Sequence, residues 1–405
     1  MTPSSAVEFL LWLLIVAAII AMLAKRLRIP YTVSLVLGGL ILGSIRLPVL
    51  SPLQPGQRPD WLTPDVILIL FLPALVFEGS VKLEMRELLR NFSPLLLLAN
   101  VGVLIAAVVT GCLVHWFIGL PILIALLFGS IISATDPISV LAIFRDLRVS
   151  KRLSLIMEAE SLLNDGTAVV LFEIVLGAAV AERLSVPKAF LAVAGGAALG
   201  MILGYLAGRV TETVDDPQIE ITLTTILAYG SYLLAHHLHL SGVIATASAG
   251  MMLGNLELEK RMSARTRTAM QSFWEYISFV MNSLVFLLIG LEIHPRELVE
   301  NWTSILFAIG AVLLGRVLSV YLLVPLSNLF AEKIPFRWQH VAVWGGLRGA
   351  LALALALSLN GAFPYRQEIL SLTFGVVIFS ILVQGLTIKP ILRILKLAGD
   401  DTPAA

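Results

Sequence analysis

Four charged side chains stand inside otherwise apolar runs of this sequence: Asp136, Asp165, Arg316 and Arg348. An ionisable group at membrane depth is costly and by default marks an ion or proton path. A helix rises ~1.5 Å per residue, which sets Asp136 about 22 Å from one face of a bilayer and Asp165 about 20 Å from the other. Arg316 and Arg348 come out roughly 20 Å and 15 Å deep by the same count. The four charges therefore converge near the midplane from four different runs. Glu160 lies five residues before Asp165, and Glu78 lies near the inner end of its own run.

The stretch Glu158-Ala159-Glu160-Ser161-Leu162-Leu163-Asn164-Asp165 carries the chemistry. Ser161 and Asp165 are four apart and share a helix face. Glu160 and Asn164 form a second such pair, turned ~100° from the first. The first face offers a carboxylate and a hydroxyl to a cation, and a backbone carbonyl at Thr135 can add a third oxygen. Hard monovalent cations prefer oxygen ligands of this kind. Asp165 then has two competing occupants, a proton or a cation. Asn164 is neutral and can bridge to a broken helix through hydrogen bonds. Glu160 is best explained as the ion-pair partner of Arg316.

Two runs hold residues that interrupt helices. Ser133-Ala134-Thr135-Asp136-Pro137 puts a proline mid-run, where it removes a hydrogen bond and clashes with the preceding turn. Gly345-Gly346-Leu347-Arg348-Gly349 puts three glycines at matching depth. Interrupted helices at corresponding positions of inverted repeats are a sequence pointer to a transporter's midplane site. Where two such breaks cross, the helix N-termini carry partial positive charge and the C-termini partial negative charge. Asp136 suits the first and Arg348 the second, which gives both a site-stabilising role. Arg348 also wants a carboxylate, and Glu78 is the candidate.

The elements that must position these groups follow from composition. Of 405 residues, 58% are apolar and 14% charged, with a mean hydropathy of +0.93. Soluble domains carry about 25% charged residues, so a soluble enzyme is excluded, and so is a disordered chain. The net charge of +1 gives no footprint for nucleic acid. Cys112 is the single cysteine, so no intrachain disulfide can form. The apolar runs predict thirteen transmembrane helices, near 7–24, 31–45, 62–80, 92–117, 121–144, 152–180, 186–208, 219–235, 241–256, 272–291, 303–329, 338–360 and 367–394. Basic residues follow the first run rather than precede it, which predicts a retained helix and not a cleaved signal. With the N-terminus outside and the C-terminus cytoplasmic, predicted inner segments hold 20 of the 28 Lys and Arg and outer loops hold six. That asymmetry is the positive-inside pattern. Trp61, Trp116, Trp274, Trp302 and Trp338 fall at predicted helix ends, as interfacial aromatics do.

Glu160-Ser161-x-x-Asn164-Asp165, Thr135-Asp136-Pro137 and Gly345-Gly346-Leu347-Arg348-Gly349-Ala350 resemble the signatures of the sodium–proton exchangers, the monovalent cation:proton antiporters, closest to their electroneutral NhaP-like branch. Phe279-x-x-Asn282-Ser283-x-x-Phe286-x-x-x-Gly290 is similar to that branch as well. The resemblance implies Na⁺, with Li⁺ or K⁺ as competitors, exchanged for H⁺ by alternating access. Na⁺ and H⁺ are substrates, and no cofactor is implied. It implies ion binding at Asp165, Ser161, Glu160 and the Thr135 backbone, a site stabilised by Asn164, and Arg316 paired with Glu160. It implies a homodimer, with core ion-binding helices at about 92–180 and 303–394. The remaining helices, about 7–80 and 186–291, serve as dimerisation scaffold, with the tenth near the core. The long cytoplasmic tail of animal members has no counterpart in this sequence, which leads to the expectation of a prokaryotic inner-membrane protein. An intramembrane hydrolase fits poorly, because Asp136 and Asp165 lie in no protease-type context and no Ser–His pair lies within the membrane. The alternative is a sodium-coupled symporter or anion transporter with a similar crossed-helix fold.

Overall fold

Long apolar runs can satisfy their backbone groups in lipid only as helices or as a closed barrel, and this chain takes the first course. A computed structural model describes residues 3–27, 31–44, 64–83, 89–181, 186–212, 214–257, 263–292 and 295–398. Among them there is no strand. The helices are α1 (Pro3–Leu27), α2 (Tyr31–Ser44), α3 (Pro64–Val81), α4 (92–118), α5 (Ile122–Ser133), α6 (Ile138–Asp146), α7 (Lys151–Ala181) and α8 (Val186–Thr211). They continue as α9 (Pro217–His237), α10 (Gly242–Glu257), α11 (Ala264–Glu292), the short α12 (Pro295–Glu300), α13 (Trp302–Ser327), α14 (Phe336–Trp344), α15 (Ala350–Leu357) and α16 (366–394). Two long helices widen to a π turn in mid-course, α4 at Leu97–Gly102 and α16 at Ser380–Gln384.

Among the described residues, six segments are long and apolar enough to cross a bilayer: Val7–Arg26, Ser93–Ile118, Lys151–Val180, Leu191–Thr211, Trp302–Ser327 and Arg366–Ile394. Their outer surfaces are apolar, as at Leu11, Ile19, Leu191, Ile202, Leu306 and Leu322, all more than half exposed. Lipid is the solvent that such surfaces need. The chain is a multi-pass membrane protein.

Within the described residues, each predicted apolar run falls essentially on one helix, except the two that contain interruptions. The run 121–144 is split into α5 and α6, and the run 338–360 into α14 and α15. Packing falls into two groups. α4 lies along α5 and α13, and α15 packs against α16. α8 lies along α10, α11 along α2, and α10 along α3. The groups meet where α3, α10 and α11 touch α7 and α15.

One expectation is corrected here. The run 272–291 belongs to a helix that begins at Ala264, because Ser263 Oγ accepts from the Thr266 N–H (3.3 Å) and caps an added polar turn. Trp274 is therefore ten residues inside α11 rather than at its end. It is 1% exposed, packs on Phe77 and Phe273, and donates its indole N–H to Thr224 (3.1 Å). It is a core residue, not an interfacial one. Trp116 and Trp302 are exposed, as expected. Trp61 lies outside the described residues.

Candidate functional site

Proline fixes where the first break falls. Pro137 has no N–H, and its ring pushes the preceding residue out of the helical region. α5 therefore stops at Ser133, Ala134 turns extended (ψ 139°), and α6 starts after Pro137. Backbone groups freed in a membrane interior need partners, and five at this break have them. Arg348 Nη1 donates to the carbonyls of Ser133 (2.7 Å) and Ala134 (3.1 Å). Ser161 Oγ donates to the Thr135 carbonyl. The Thr135 N–H donates to Asn164 Oδ1 (3.3 Å), and Asn164 Nδ2 donates to Thr135 Oγ1 (2.6 Å). The Asp136 N–H donates to the Leu347 carbonyl (2.7 Å), which ties the first break directly to the second.

The second break is served by α16. Ser380 Oγ accepts from the Arg348 N–H (2.9 Å), and Gln384 Nε2 donates to the Trp344 carbonyl (3.1 Å). Both side chains sit on the π turn of α16. Gly349 stands at the N-terminus of α15, and a Cβ there would lie 2.3 Å from Asp136 Oδ2. The Asp136 carboxyl thus rests on a helix N-terminus, a favourable end for negative charge. Arg348 rests on the C-terminal carbonyls of α5, a favourable end for positive charge.

Behind the breaks lies an ion pair. Arg316 Nη1 and Nη2 donate to the two carboxylate oxygens of Glu160, at 2.7 and 2.9 Å. Arg316 also donates to the Ala342 carbonyl, and Asn164 Nδ2 donates to Glu160 Oε1 (3.1 Å). Glu160 is 2% and Arg316 5% exposed. This bidentate geometry is the strong form of a charge pair, and it leaves Glu160 fully engaged.

A cavity of roughly 130 Å³ opens in front of the first break. Thr135, Asp136, Ser161 and Asp165 line it, with Glu78 and Glu158 farther along the same walls. Asp165 Oδ1 is buried and has no hydrogen-bond partner in the protein. Glu160, Asn164, Arg316 and Arg348 do not line this cavity; they hold the residues that do. Of the residues named from sequence, Asp165, Ser161 and Thr135 are brought together as a set of oxygens.

Glu78 does not meet Arg348. Lys82, one turn along, takes Glu78 and also reaches Glu275 of α11 (3.0 Å). Arg348 needs no carboxylate because the carbonyls at the end of α5 receive it. Sequence reasoning gave no site role to Ser278 and Asn282, which line the cavity from α11, or to Ser380 and Gln384. Each is a polar pair spaced four apart in an apolar helix, and that spacing was a usable signal.

Residues 13–394 match the family described as sodium/hydrogen exchanger, transmembrane. The chain belongs to the sodium/hydrogen exchanger family. The Na⁺/H⁺ antiporter ApNhaP of Aphanothece halophytica is similar to this exchanger, 41% identical over 380 residues, with 92% of this chain and 71% of ApNhaP covered. The Na⁺/H⁺ antiporter NhaH of Halobacillus aidingensis is 39% identical over 406 residues, covering 97% of this chain and 98% of NhaH. Among solved structures, the sodium proton antiporter MjNhaP1 of Methanocaldococcus jannaschii superposes with a TM-score of 0.78 at 23% identity, over 98% of this exchanger and 99% of MjNhaP1. Membership of this family points to a transporter rather than an enzyme.

Proposed function

We propose that this chain exchanges Na⁺ for H⁺ across a membrane, one for one, with Asp165 as the group that carries either ion. The observation that carries this reading is the unpartnered Oδ1 of Asp165, a residue that lines one cavity with Ser161 and Thr135. A carboxylate, a hydroxyl and a carbonyl make a ligand set for a hard monovalent cation. Na⁺ binds through Asp165, Ser161 and the Thr135 carbonyl, and it displaces the Asp165 proton. Ser161 gives up its bond to Thr135 O as the ion arrives. Glu160 contributes negative field while its own charge is matched by Arg316.

The architecture proposed with it has thirteen spans in inverted repeats, with the two interrupted helices crossing near Thr135–Pro137 and Gly345–Gly349. The contacts between the two breaks support that crossing. The N-terminus is outside and the C-terminus cytoplasmic, which puts the cavity on the cytoplasmic side of Asp165. The core helices, about 92–180 and 303–394, move against the scaffold, which also forms a homodimer in a prokaryotic inner membrane. The two packing groups described above support that division.

Proton flux in everted vesicles tests the reading, with Na⁺, Li⁺ and K⁺ added separately. Protons moving against added Na⁺ are expected. Protons moving with Na⁺, or not moving at all, would mean a symporter or a different substrate.

A further inference from the structure

A second residue of the cavity wall also carries an oxygen without a partner. Asn282 of α11 is 2% exposed, lines the same cavity as Asp165, and has no hydrogen-bond partner in the protein for Oδ1. Its amide nitrogen donates to Ser278 Oγ (3.3 Å), one turn earlier and also in the lining. With the nitrogen turned to Ser278, the carbonyl is left over. The neighbouring Ser283 is not equivalent, because its hydroxyl is spent on the Phe279 carbonyl (2.7 Å). Buried carbonyls are nearly always paired, and leaving one unpaired is costly. Two such oxygens on residues that line one cavity call for an occupant that satisfies both.

We infer that Asn282 supplies a neutral oxygen ligand to the transported cation from the α11 wall, forming an approach subsite that the ion meets on its way to Asp165. This rests on the exchange reading given above and extends it to a residue outside the helices that form the breaks. An amide carbonyl replaces part of the ion's hydration without adding a titratable group. It therefore eases desolvation and leaves the one-for-one charge balance intact. Its position also has a mechanical meaning. α11 packs with α2 and α3, whereas Asp165 belongs to α7 in the other packing group. A cation held between Asn282 and Asp165 links the two groups while it is bound. A proton on Asp165 makes no such link.

The test uses the full chain purified in detergent, with thermal unfolding followed as choline is replaced by Na⁺ at constant ionic strength. Wild-type protein is expected to gain Tm with Na⁺, and Asp165→Asn to lose that gain. Asn282→Ala should melt close to wild type in choline, because the unpaired acceptor it deletes offsets the one long bond lost to Ser278 Oγ. Its half-saturating Na⁺ should rise about tenfold, equivalent to roughly 1.4 kcal/mol, and KM for Na⁺ in vesicles should rise with little change in kcat. Asn282→Leu, which keeps the volume, should behave as Asn282→Ala does. Asn282→Asp, which keeps an oxygen, should restore tight Na⁺ binding. Wild-type half-saturation in both Asn282→Ala and Asn282→Leu, with the Asp165→Asn control lost, would overturn the subsite and leave the exchange reading standing. No gain with Na⁺ in wild type itself would overturn both.

Discussion

Glu160 and Arg316 illustrate what membrane depth demands of a charge. Each is nearly inaccessible, and each satisfies the other through two parallel hydrogen bonds. Breaking a buried pair by deleting one partner typically costs ~3–5 kcal/mol, since the survivor is left uncompensated. Arg316→Ala is therefore expected to lower the unfolding midpoint markedly as well as stop exchange; a variant that melts like wild type would disprove the structural role of the pair. Asp165→Asn is the opposite case. Its orphan oxygen supports no fold contact, so the variant should unfold at or above the wild-type temperature while proton flux driven by Na⁺ disappears. The Glu160–Arg316 pair was legible in the sequence, because two opposite charges buried in apolar runs have few other places to go. The fate of Arg348 was not legible. Its partners are the carbonyls of Ser133 and Ala134, and carbonyls exist at every position, so no side-chain pattern announces which ones are exposed.

The elements were the most readable level. Apolar runs in a chain bound for lipid can be helices or the strands of a closed barrel; these are too long for barrel strands, and where described they are helices or pairs of half-helices. The interruptions were readable too, from Pro137 and the glycines of 345–349. Hydropathy fails where a helix leaves the apolar zone, as α11 does between Ala264 and Gln271, since these added turns are largely polar and begin at the Ser263 cap. It also fails to report the π turns, which depend on what the neighbouring helix needs. The turn at Ser380–Gln384 lets two polar side chains reach one break. Close approach at the breaks gives a direct prediction. A methyl group on Gly349 would fall inside the Asp136 carboxyl. Overpacking of this type costs about 1–3 kcal/mol, so Gly349→Ala should lower thermal stability by that amount and shift the Na⁺ dependence of exchange. Unchanged stability would show that the Asp136 carboxyl is not seated on α15.

At the scale of the whole molecule, a single site that holds one H⁺ or one Na⁺ has the same net charge in both loaded forms. A membrane potential then does no work on the cycle, whereas each uncompensated charge would feel ~2.3 kcal/mol per 100 mV. Exchange in proteoliposomes clamped with valinomycin and potassium should run at the same rate across imposed potentials. A several-fold change would show that a second group titrates. The proposed competition of proton and Na⁺ for Asp165 predicts that the Na⁺ concentration for half-maximal exchange also rises as the medium is acidified. Orientation is tested by thiol labelling after Cys112 is replaced: cysteine at Arg296 should react from outside, and cysteine at Arg148 or Arg265 only from inside. All three positions are exposed. The tie between the two breaks has a last consequence, for heredity. It runs from the Asp136 N–H to the Leu347 carbonyl, so any residue but proline at the first position, and any residue at all at the second, could maintain it. A junction written in the main chain is invisible to most point mutations. Side chains around it can therefore drift over long descent without breaking the joint, and the fold itself is shared with a solved structure at only 23% identity.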